Sequence, residues 1–294
     1  MNPPMATVST LLGHGQVEMA LLCLASLLRL SAEPVNLRLH DDGTLCPEDF
    51  DRLASGLGDC EVISRQRADE RVAEVLAKRP ALAAFRRDNP LALKLVDAVL
   101  WAGSKLTFCD TDVLFLRPFT DLFALPDGSG AVFMTDRQNA YSVRSWHLLR
   151  RRRLALPRRA NTGIVVYHTA AWDPDLLEWY LARPEHRFAP VWVEQTAWAL
   201  LGWRAGCRLV AASQIAIPRP DQPADLSPAN VALHFVSPVR QLLPAYREIA
   251  PDRTGEPPVA VRTVPADRCG WASMAVTEGR RLLARWRGPQ RSNP

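Results

Sequence analysis

Two aspartates, Asp110 and Asp112, interrupt a stretch that otherwise has the composition of a buried strand, FCDTDVLFLRPF at positions 108–119. Ionised carboxylates are costly in an apolar segment unless something compensates them, and two of them one residue apart also repel each other. Hard cations such as Mg²⁺ and Mn²⁺ prefer carboxylate oxygens and often share their coordination shell with substrate phosphates. The pair therefore predicts a divalent metal site. The alternative, two unrelated aspartates on an exposed loop, is disfavoured by the apolar residues on both sides.

Two further segments place polar residues beside apolar ones, and each is a weak signal alone. Asn161 and Gly163 open the segment NTGIVVYH, where a turn residue and a close-packing glycine explain them equally well. Glu194 and Gln195 are also explained as the polar face of a helix. Neither segment by itself distinguishes a binding site from ordinary structure.

The segment HFVSPVR at 234–240 contains a histidine within a predicted apolar strand and an arginine a few residues after it. A single histidine such as His234 in this setting is more often structural than a ligand. Imidazole is nevertheless a common ligand of transition metals. Arg240, shortly after it, is suited to binding phosphate.

In the first half of the chain, predicted strands alternate with predicted helices, and these elements must position the polar residues. Apolar periodicity predicts strands at 6–12, 35–40, 60–64 and 105–110, and helices at 15–30, 47–57, 67–79 and 91–103. Such alternation predicts an α/β fold with a mixed, mostly parallel sheet flanked by helices. Ligands bind beyond the carboxyl ends of strands in these sheets, and both Asp41–Asp42 and the Asp110–Asp112 pair fall at strand ends.

The second half is less regular. We predict strands at 130–136, 161–168, 207–213 and 231–236, a helix at 175–183, an amphipathic helix at 191–203 and a basic helix near 273–287. The polar, basic stretch 137–160 has no clear period and is predicted to be a mobile loop. We expect one domain over residues 1–250, followed by a Pro- and Arg-rich C-terminal extension over 251–294.

Composition narrows the class of protein. With 48% hydrophobic and 23% charged residues the chain is typical of a globular protein. The net charge is +5, and lysine occurs only at positions 78, 94 and 105, so most positive charge is arginine. This balance suits phosphate-rich or anionic partners, although a solvated basic face explains it equally well. No nucleic-acid-binding module is recognisable, and we predict no nucleic-acid partner.

The cysteine pattern and the N-terminal sequence indicate the cellular compartment in which the protein is expected. The six cysteines include no CxxC pair, which predicts free thiols and disfavours a zinc site. The longest apolar stretch, at 19–28, is too short to span a bilayer, and the N-terminus lacks the features of a secretory signal. We therefore expect a cytoplasmic protein.

The order of these motifs resembles that of the GT-A nucleotide-diphospho-sugar glycosyltransferases. The sequence is most similar to glycosyltransferase family eight, the glycogenin and lipopolysaccharide galactosyltransferase group. FCDTDVLFLRPF matches the family's strand ending in Asp-x-Asp, and positions 161–166 match its Asn-x-Gly-apolar strand. Glu194 and Gln195 match its acidic-Gln pair, and positions 234–240 match its late His-x-x-Gly-x-x-Lys segment. The four elements appear in the family's order over residues 6–240.

The resemblance implies a GT-A, Rossmann-like fold and a set of site residues. Asp110, Asp112 and His234 would bind Mn²⁺ or Mg²⁺. Gln195, Glu194 and Asp136 would act at the sugar as catalytic residues. Residues implied in binding the nucleotide-sugar donor, most simply a UDP-sugar, are Thr10, Leu11, Gly13, Asp41, Asp42, Lys94, Asp110, Thr111, Asn161, Ser237 and Arg240.

Some positions depart from the family pattern. Ser237 replaces a glycine and Arg240 a lysine, and both residue types can still bind phosphate. Glu194 stands where the family more often has Asp. The resemblance favours retention of configuration. Glu194 and Asp136 are also available as the base of an inverting reaction, so both outcomes stay open.

The implied function is transfer of a sugar from a nucleotide-diphosphate donor to an acceptor hydroxyl, in bacterial glycan, lipopolysaccharide or glycoconjugate synthesis. We further hypothesise that the 137–160 loop orders over the diphosphate. A second hypothesis is that the C-terminal helix, with Leu282, Leu283 and Trp286, contacts an anionic membrane at its inner face, where a lipid-linked acceptor would reside. A plain solvated basic segment explains either stretch equally well.

Two other functions are compatible with parts of the pattern. A phosphohydrolase of the haloacid-dehalogenase type also has Asp-x-Asp after an apolar strand, with the first Asp as nucleophile. That motif usually lies near the N-terminus and continues with Thr or Val where this chain has Leu114. A non-catalytic sugar-nucleotide-binding domain on the same fold is the other alternative.

Overall fold

The computed structural model describes residues 5–151, 153–219, 227–249 and 253–286. Within them, strands β1 to β13 are, in order, Ala6–Leu12, Val35–Asp41, Cys60–Ile63, Lys105–Cys109, Val113–Phe115, Phe119–Thr120, Ala131–Thr135, Ala160–His168, Cys207–Val210, Ile215–Ala216, Ala232–His234, Val259–Ala260 and Thr263–Pro265. Helices α1 to α10 are, in order, Val17–Leu30, Pro47–Leu57, Arg65–Ala77, Pro80–Asp88, Ala92–Trp101, Ser145–Arg150, Pro174–Leu181, Val193–Ala205, Leu243–Ile249 and Trp271–Trp286.

An eight-stranded mixed sheet organises the fold, with strand order β13-β9-β7-β8-β4-β1-β2-β3. Strands β4, β1, β2 and β3 run parallel to one another, and β7 runs parallel to β9. Strand β8 is antiparallel to both of its neighbours, β4 and β7. The predicted α/β fold with a mixed, mostly parallel sheet is confirmed.

Alternating side chains along the strands give the sheet two apolar faces. In β8, Val165 and Tyr167 belong to the buried cluster that includes residues of α5, α7 and α8, whereas Ile164 and Val166 belong to the cluster that includes residues of α1 and α2. Successive residues of a strand point to opposite faces, so a continuous apolar strand must be covered on both sides. This explains why the central strand β8 is apolar from Ile164 to Tyr167.

Two small sheets lie beside the large one. Strand β5 pairs with β11, which pairs with β10, and β6 pairs with β12. The chain therefore leaves the large sheet at the end of β4 and joins a different sheet at β5. The aspartate motif forms the turn between the two sheets.

Several predictions of local structure are wrong or incomplete. Helices α4 and α9 were not expected, because each forms only about two turns, too few for a clear periodic signal. Helix α8 is not amphipathic, since every residue from Val193 to Gly202 is buried between the sheet and helices α5 and α7. The stretch 137–160 contains α6 and buries Tyr141, Leu154 and Leu156 in the core, so it is not simply a mobile loop.

The described part of the C-terminal segment pairs with strands of two sheets and hydrogen-bonds to the 137–160 stretch. Strand β13 forms one edge of the large sheet, and β12 pairs with β6. The backbone N–H of Cys269 donates to the carbonyl of Leu156 at 2.8 Å. Among the described residues, no helix combines the length and hydropathy that crossing a bilayer requires.

A buried ion pair connects α4 to α5. Arg86 donates from Nε and Nη2 to the two carboxylate oxygens of Asp97, at 2.8 and 2.6 Å. Asp97 is fully buried, and burial raises its pKa against the opposing effect of Arg86. Without Arg86 the Asp97 charge would have to be desolvated alone, or the carboxyl would have to take up a proton.

We predict that Arg86→Ala lowers the free energy of unfolding by about 3–5 kcal/mol, because it leaves a buried carboxylate uncompensated. The neighbouring Arg87 forms only an exposed pair with Asp88, so Arg87→Ala should cost about 0–1 kcal/mol. Urea denaturation of both variants tests the difference. Equal losses would show that the buried pair contributes no more than the exposed one.

Candidate functional site

Strand register brings the two aspartates and His234 together. The backbone N–H of Asp110 donates to the carbonyl of Gly163 at 2.7 Å, which extends the β4–β8 ladder by one residue. On the other side of the turn, Val113 of β5 lies opposite His234 of β11. This main-chain pairing between distant segments places His234 beside Asp112, the residue that precedes Val113.

Cations of the protein compensate both carboxylates. Lys94 Nζ lies 2.9 Å from Asp110 Oδ1, and Arg240 donates from Nε and Nη2 to Asp112 Oδ2 at 2.9 and 2.7 Å. Lys94 also donates to the carbonyl of Thr162. The electrostatic repulsion between the two carboxylates is thus relieved, because each carboxylate pairs with its own cation.

The pKa shifts follow from burial and these partners. Burial on its own lowers the pKa of Lys94, but Asp110 and Glu194 outweigh it, and the pKa is raised. Burial raises the pKa of Asp112, but His234 and Arg240 outweigh it, and the pKa is lowered. At Asp110 burial outweighs Lys94, and the pKa is raised. Asp112 is therefore the carboxylate whose ionised form the surroundings favour.

Asp110, Asp112 and His234 fit a divalent metal. One ligand atom from each lies within 4.8 Å of the others. His234 Nε2 is 3.1 Å from Asp112 Oδ1 and 3.8 Å from Asp110 Oδ2. Adjacent ligands of an octahedral ion with bonds of about 2.1 Å lie about 3 Å apart. Asp112 Oδ1 is buried and faces His234 Nε2, so these two atoms are placed to share an ion.

Gly163 is needed because His234 lies against its α-carbon. A Cβ at position 163 would lie 2.5 Å from His234 Cε1. Any side chain there would force the imidazole out of its present position beside Asp112. The sequence-based interpretation of Gly163 as a close-packing glycine is therefore correct, and the residue that it packs against is the third candidate ligand.

A second polar group lies around Asp136, at the end of β7. Asn161 Nδ2 donates to Asp136 Oδ2 at 3.0 Å, and Gln195 Nε2 donates to the carbonyl of Ala140 at 2.8 Å and lies 3.5 Å from Asp136 Oδ2. The β7–β8 register shifts between Phe133 and Met134, so β8 carries a bulge beside these residues. Bulges of this kind redirect side chains next to binding sites.

Glu194 lies between the two groups. Its Oε2 accepts from Thr162 Oγ1 at 3.1 Å, and its Oε1 lies 3.7 Å from Lys94 Nζ. Burial raises the pKa of Glu194 to about 7, against the opposing effect of Lys94. The carboxyl group is therefore close to half-protonated at neutral pH.

A cavity of about 1120 Å³ joins these groups and is large enough for a ligand of several rings. The predicted site residues that line it are Lys94, Asp110, Asp112, Asp136, Asn161, Glu194, Gln195, His234, Ser237 and Arg240. The predicted residues that do not line it are Thr10, Leu11, Gly13, Asp41, Asp42 and Thr111.

Four of the residues outside the cavity have other surroundings. Thr10 and Thr111 are buried. Asp41 Oδ1 accepts from the backbone of Gly43 at 2.7 Å, and Asp42 Oδ1 accepts from Thr44 Oγ1 at 2.6 Å. Both aspartates thus hydrogen-bond within the turn that follows β2.

The structure adds lining residues that the sequence did not single out. Arg159 has a φ of 64°, which costs a non-glycine residue about 1–2 kcal/mol. Its Nε donates to the carbonyl of Asp136 at 2.6 Å, and its backbone N–H donates to Asn139 Oδ1 at 3.0 Å. Asn139 in turn donates to Ser273 Oγ of α10 at 3.0 Å.

Helix α10 therefore forms one wall of the cavity, through residues that include Ser273, Thr277 and Arg280. The sequence predicted the helix and the basic character of 137–160. It carried no signal that the two segments meet at the site.

The fold can be compared with known proteins. No protein-family model and no curated protein matches the chain. Mouse xyloside xylosyltransferase 1 in its apo form matches with a TM-score of 0.57 at 15% identity, covering 81% of this chain and 99% of that chain. This likeness shows that the chain has a glycosyltransferase fold, as the resemblance to GT-A enzymes predicted.

Two further structures are similar at a lower level. An active-site mutant of LgtC matches with a TM-score of 0.47 at 14% identity, over 79% of this chain and 88% of that chain. The glycosyltransferase GlyE of Streptococcus pneumoniae TIGR4 matches with a TM-score of 0.48 at 13% identity, over 80% of this chain and 55% of that chain.

We predict that Glu194→Gln changes how stability depends on pH. The folded-state pKa of about 7 exceeds the usual 4.5, so the folded protein binds the extra proton between these values and wild-type stability falls as pH rises through that window. The variant lacks this loss. Its stability relative to wild type should therefore rise by up to about 3 kcal/mol from pH 4.5 to pH 8.

Thermal melting of both proteins in EDTA, across this pH range, measures the difference. The control is Glu70→Gln, at an exposed position on α3. A difference between Glu194→Gln and wild type that stays constant with pH would contradict the assigned shift.

Proposed function

We propose that the protein is a metal-dependent glycosyltransferase that moves a sugar from a nucleotide-diphosphate donor to an acceptor hydroxyl. The observation that carries the proposal is one cavity lined both by a metal-ligand trio, Asp110, Asp112 and His234, and by the polar group around Asp136. The glycosyltransferase fold supports it. Fold alone does not establish activity, so the chemistry of the cavity bears the argument.

The donor diphosphate would lie at the trio. A Mn²⁺ or Mg²⁺ bound there would act as a Lewis acid on the departing diphosphate. Arg240 retains 42% of its side-chain surface and is the cation best exposed to a phosphate beside the trio. Lys94 is buried and fixes Asp110, so its role is to hold the ligand and add positive charge.

The sugar would lie at the group around Asp136. Asn161, Gln195 and Asp136 offer amide and carboxylate groups to sugar hydroxyls, which suits orientation of the anomeric carbon. We propose retention of configuration. This proposal rests on the resemblance to family eight. Glu194, with its pKa raised to about 7, and Asp136 are the carboxyl groups that an inverting reaction would use as its base.

The base and ribose are assigned by resemblance alone. We propose UDP as the nucleotide, with Thr10, Leu11, Gly13, Asp41, Asp42 and Thr111 around its nucleoside. Ser237, which lines the cavity beside Arg240, would contact the phosphates. The reaction would belong to bacterial glycan, lipopolysaccharide or glycoconjugate synthesis in the cytoplasm.

We predict that UDP with Mn²⁺ raises the melting temperature of the protein, since a ligand of the folded state alone stabilises it. The comparison is with GDP, CMP and dTDP, each in Mn²⁺ and in EDTA. Asp112→Asn should weaken the metal-dependent binding at least about tenfold, a loss of about 1.4 kcal/mol. Asp121→Asn, at an exposed turn, should leave it unchanged.

The alternatives give different results in this experiment. A metal effect without any nucleotide effect would favour the haloacid-dehalogenase type and call for a phosphate-release assay. Binding of a nucleotide sugar without its hydrolysis or transfer would favour a non-catalytic binding domain. No shift with metal or any nucleotide would contradict the proposal.

We also propose that α10 and α6 contact an anionic membrane that carries a lipid-linked acceptor. Ser145 of α6 donates from its backbone N–H and its hydroxyl to the Glu278 carboxylate of α10, at 2.8 and 3.0 Å. Together the two helices expose Trp146, Leu149, Trp271, Val276, Leu282 and Leu283. Arginines on the same helices add positive charge, and this combination suits an interfacial surface. The side chain of Trp286 lies outside the described residues.

We predict that replacing Leu282 and Leu283 together by serine reduces sedimentation with vesicles containing phosphatidylglycerol. Exposed Val264 on β13 provides the control, as Val264→Ser. These substitutions are preferable to deleting α10, which would remove a wall of the cavity. Equal binding by wild type and the double variant, or equal binding to neutral vesicles, would remove the membrane proposal.

A further inference from the structure

A second group of ligand-type side chains lies at the loops that follow β1 and β2. His14 begins a single helical turn, His14–Gln16, after β1. Cys46 precedes α2, and Asp49 lies in its first turn. Because β1 and β2 are parallel neighbours, the loops at their carboxyl ends meet at one edge of the sheet. The absence of a CxxC pair had predicted free thiols and disfavoured a zinc site.

The ligand atoms of this group converge. His14 Nδ1 is 2.8 Å from Asp49 Oδ2, Cys46 Sγ is 3.2 Å from the same oxygen, and Cys46 Sγ is 4.0 Å from His14 Nδ1. Around a tetrahedral Zn²⁺, with bonds of about 2.0–2.3 Å, neighbouring ligand atoms lie roughly 3.3–3.6 Å apart. Each observed distance is therefore within about 0.6 Å of the value that a shared ion requires.

Helix capping explains only part of this arrangement. Asp49 accepts from the backbone N–H of Cys46 at 3.0 Å, as an acidic residue in the first turn often does. Capping does not require cysteine before the helix, where Ser, Thr, Asp and Asn are preferred. It also does not require an imidazole from another loop on the same carboxylate.

The surroundings hold the group in place and leave one side open. The backbone N–H of His14 donates to Thr44 Oγ1 at 2.9 Å, so the β1 loop is tied to the β2 loop beside the group. The Asp49 side chain is 2% exposed, whereas that of His14 is 65% exposed. An ion entering from solvent would thus meet the imidazole first and the carboxylate at the base.

We propose that His14, Cys46 and Asp49 bind a borderline transition-metal ion such as Zn²⁺, with the fourth coordination position open to solvent. Binding requires that the Cys46 thiol lose its proton to solvent, after which the thiolate and the carboxylate together balance the charge of the ion. One imidazole, one thiolate and one carboxylate form a donor set that suits Zn²⁺ better than Mg²⁺. The site joins the β1 and β2 loops and does not depend on the proposed transferase activity.

Co²⁺ tests the site in the full-length, reduced protein. A cysteine thiolate bound to Co²⁺ gives a charge-transfer band in the near ultraviolet, and the Asp110–Asp112–His234 trio contains no thiolate. We expect wild type and Asp112→Asn to show the band, and Cys46→Ser to lose it. Cys60→Ser, at another partly exposed thiol, should keep it. Zn²⁺ should abolish the band by displacing Co²⁺.

A second measurement distinguishes loss of metal binding from misfolding of a variant, since either would remove the band. In the Asp112→Asn background, Zn²⁺ should raise the melting temperature, and the further change His14→Ala or Cys46→Ser should remove that rise while the proteins remain folded. A band that persists in Cys46→Ser overturns the proposal. Absence of both the band and the Zn²⁺-dependent rise also overturns it and leaves the three residues as a hydrogen-bonded helix cap.

Discussion

The charge balance at Asp110 and Asp112 is the constraint on which the site depends. Two carboxylates one residue apart lie at the junction of two sheets, with Asp112 buried and Asp110 partly buried, and isolated side chains could not sustain this arrangement. Each carboxylate is matched by a cation from a different part of the chain, Lys94 of α5 for Asp110 and Arg240 for Asp112. His234 adds a third partner. The arrangement keeps the acidic pair assembled before any ligand arrives.

This balance explains why the surrounding elements lie where they do. Helix α5 runs directly into β4, so Lys94 reaches back to the strand end that follows its own helix. The β5–β11 pairing sets the position of His234, and the short helical segment Ser237–Leu242 carries Arg240 to Asp112. Glu194 extends the network from α8 through Lys94 and Thr162 towards Asp136. A substitution at one of these positions will therefore alter the charge balance and the hydrogen bonds of the others.

Local pattern predicted much of the architecture, because strands buried on both faces and strongly periodic helices leave clear signals. The ends of β4 and β7, and the start of β8, were placed from apolar runs that stop at polar residues. Helix α4 was missed because its nine residues form only about two and a half turns, which is shorter than the window over which helical periodicity is recognised. Helix α8 was interpreted as amphipathic because Glu194 and Gln195 are polar, whereas these side chains face an internal cavity and not solvent.

Long-range contacts explain what the sequence did not predict about the site. The position of Arg159 depends on a left-handed backbone and on its bond to the Asp136 carbonyl, and the closure by α10 depends on Asn139 contacting Ser273. Neither contact leaves a trace in spacing or periodicity. Similarly, the hydrogen bonds that Asp41 and Asp42 accept within the turn after β2 follow from the folded geometry of that turn and not from the residue types.

The contact between Gly163 and His234 ties together two positions far apart in the chain. Since a Cβ at position 163 would overlap the imidazole where it now lies, any side chain at this position of β8 would require the histidine on β11 to shift. We therefore expect the two positions to change together during divergence. Glycine at one and histidine at the other form a two-residue signature, and its loss in a relative would indicate that the relative has abandoned this ligand.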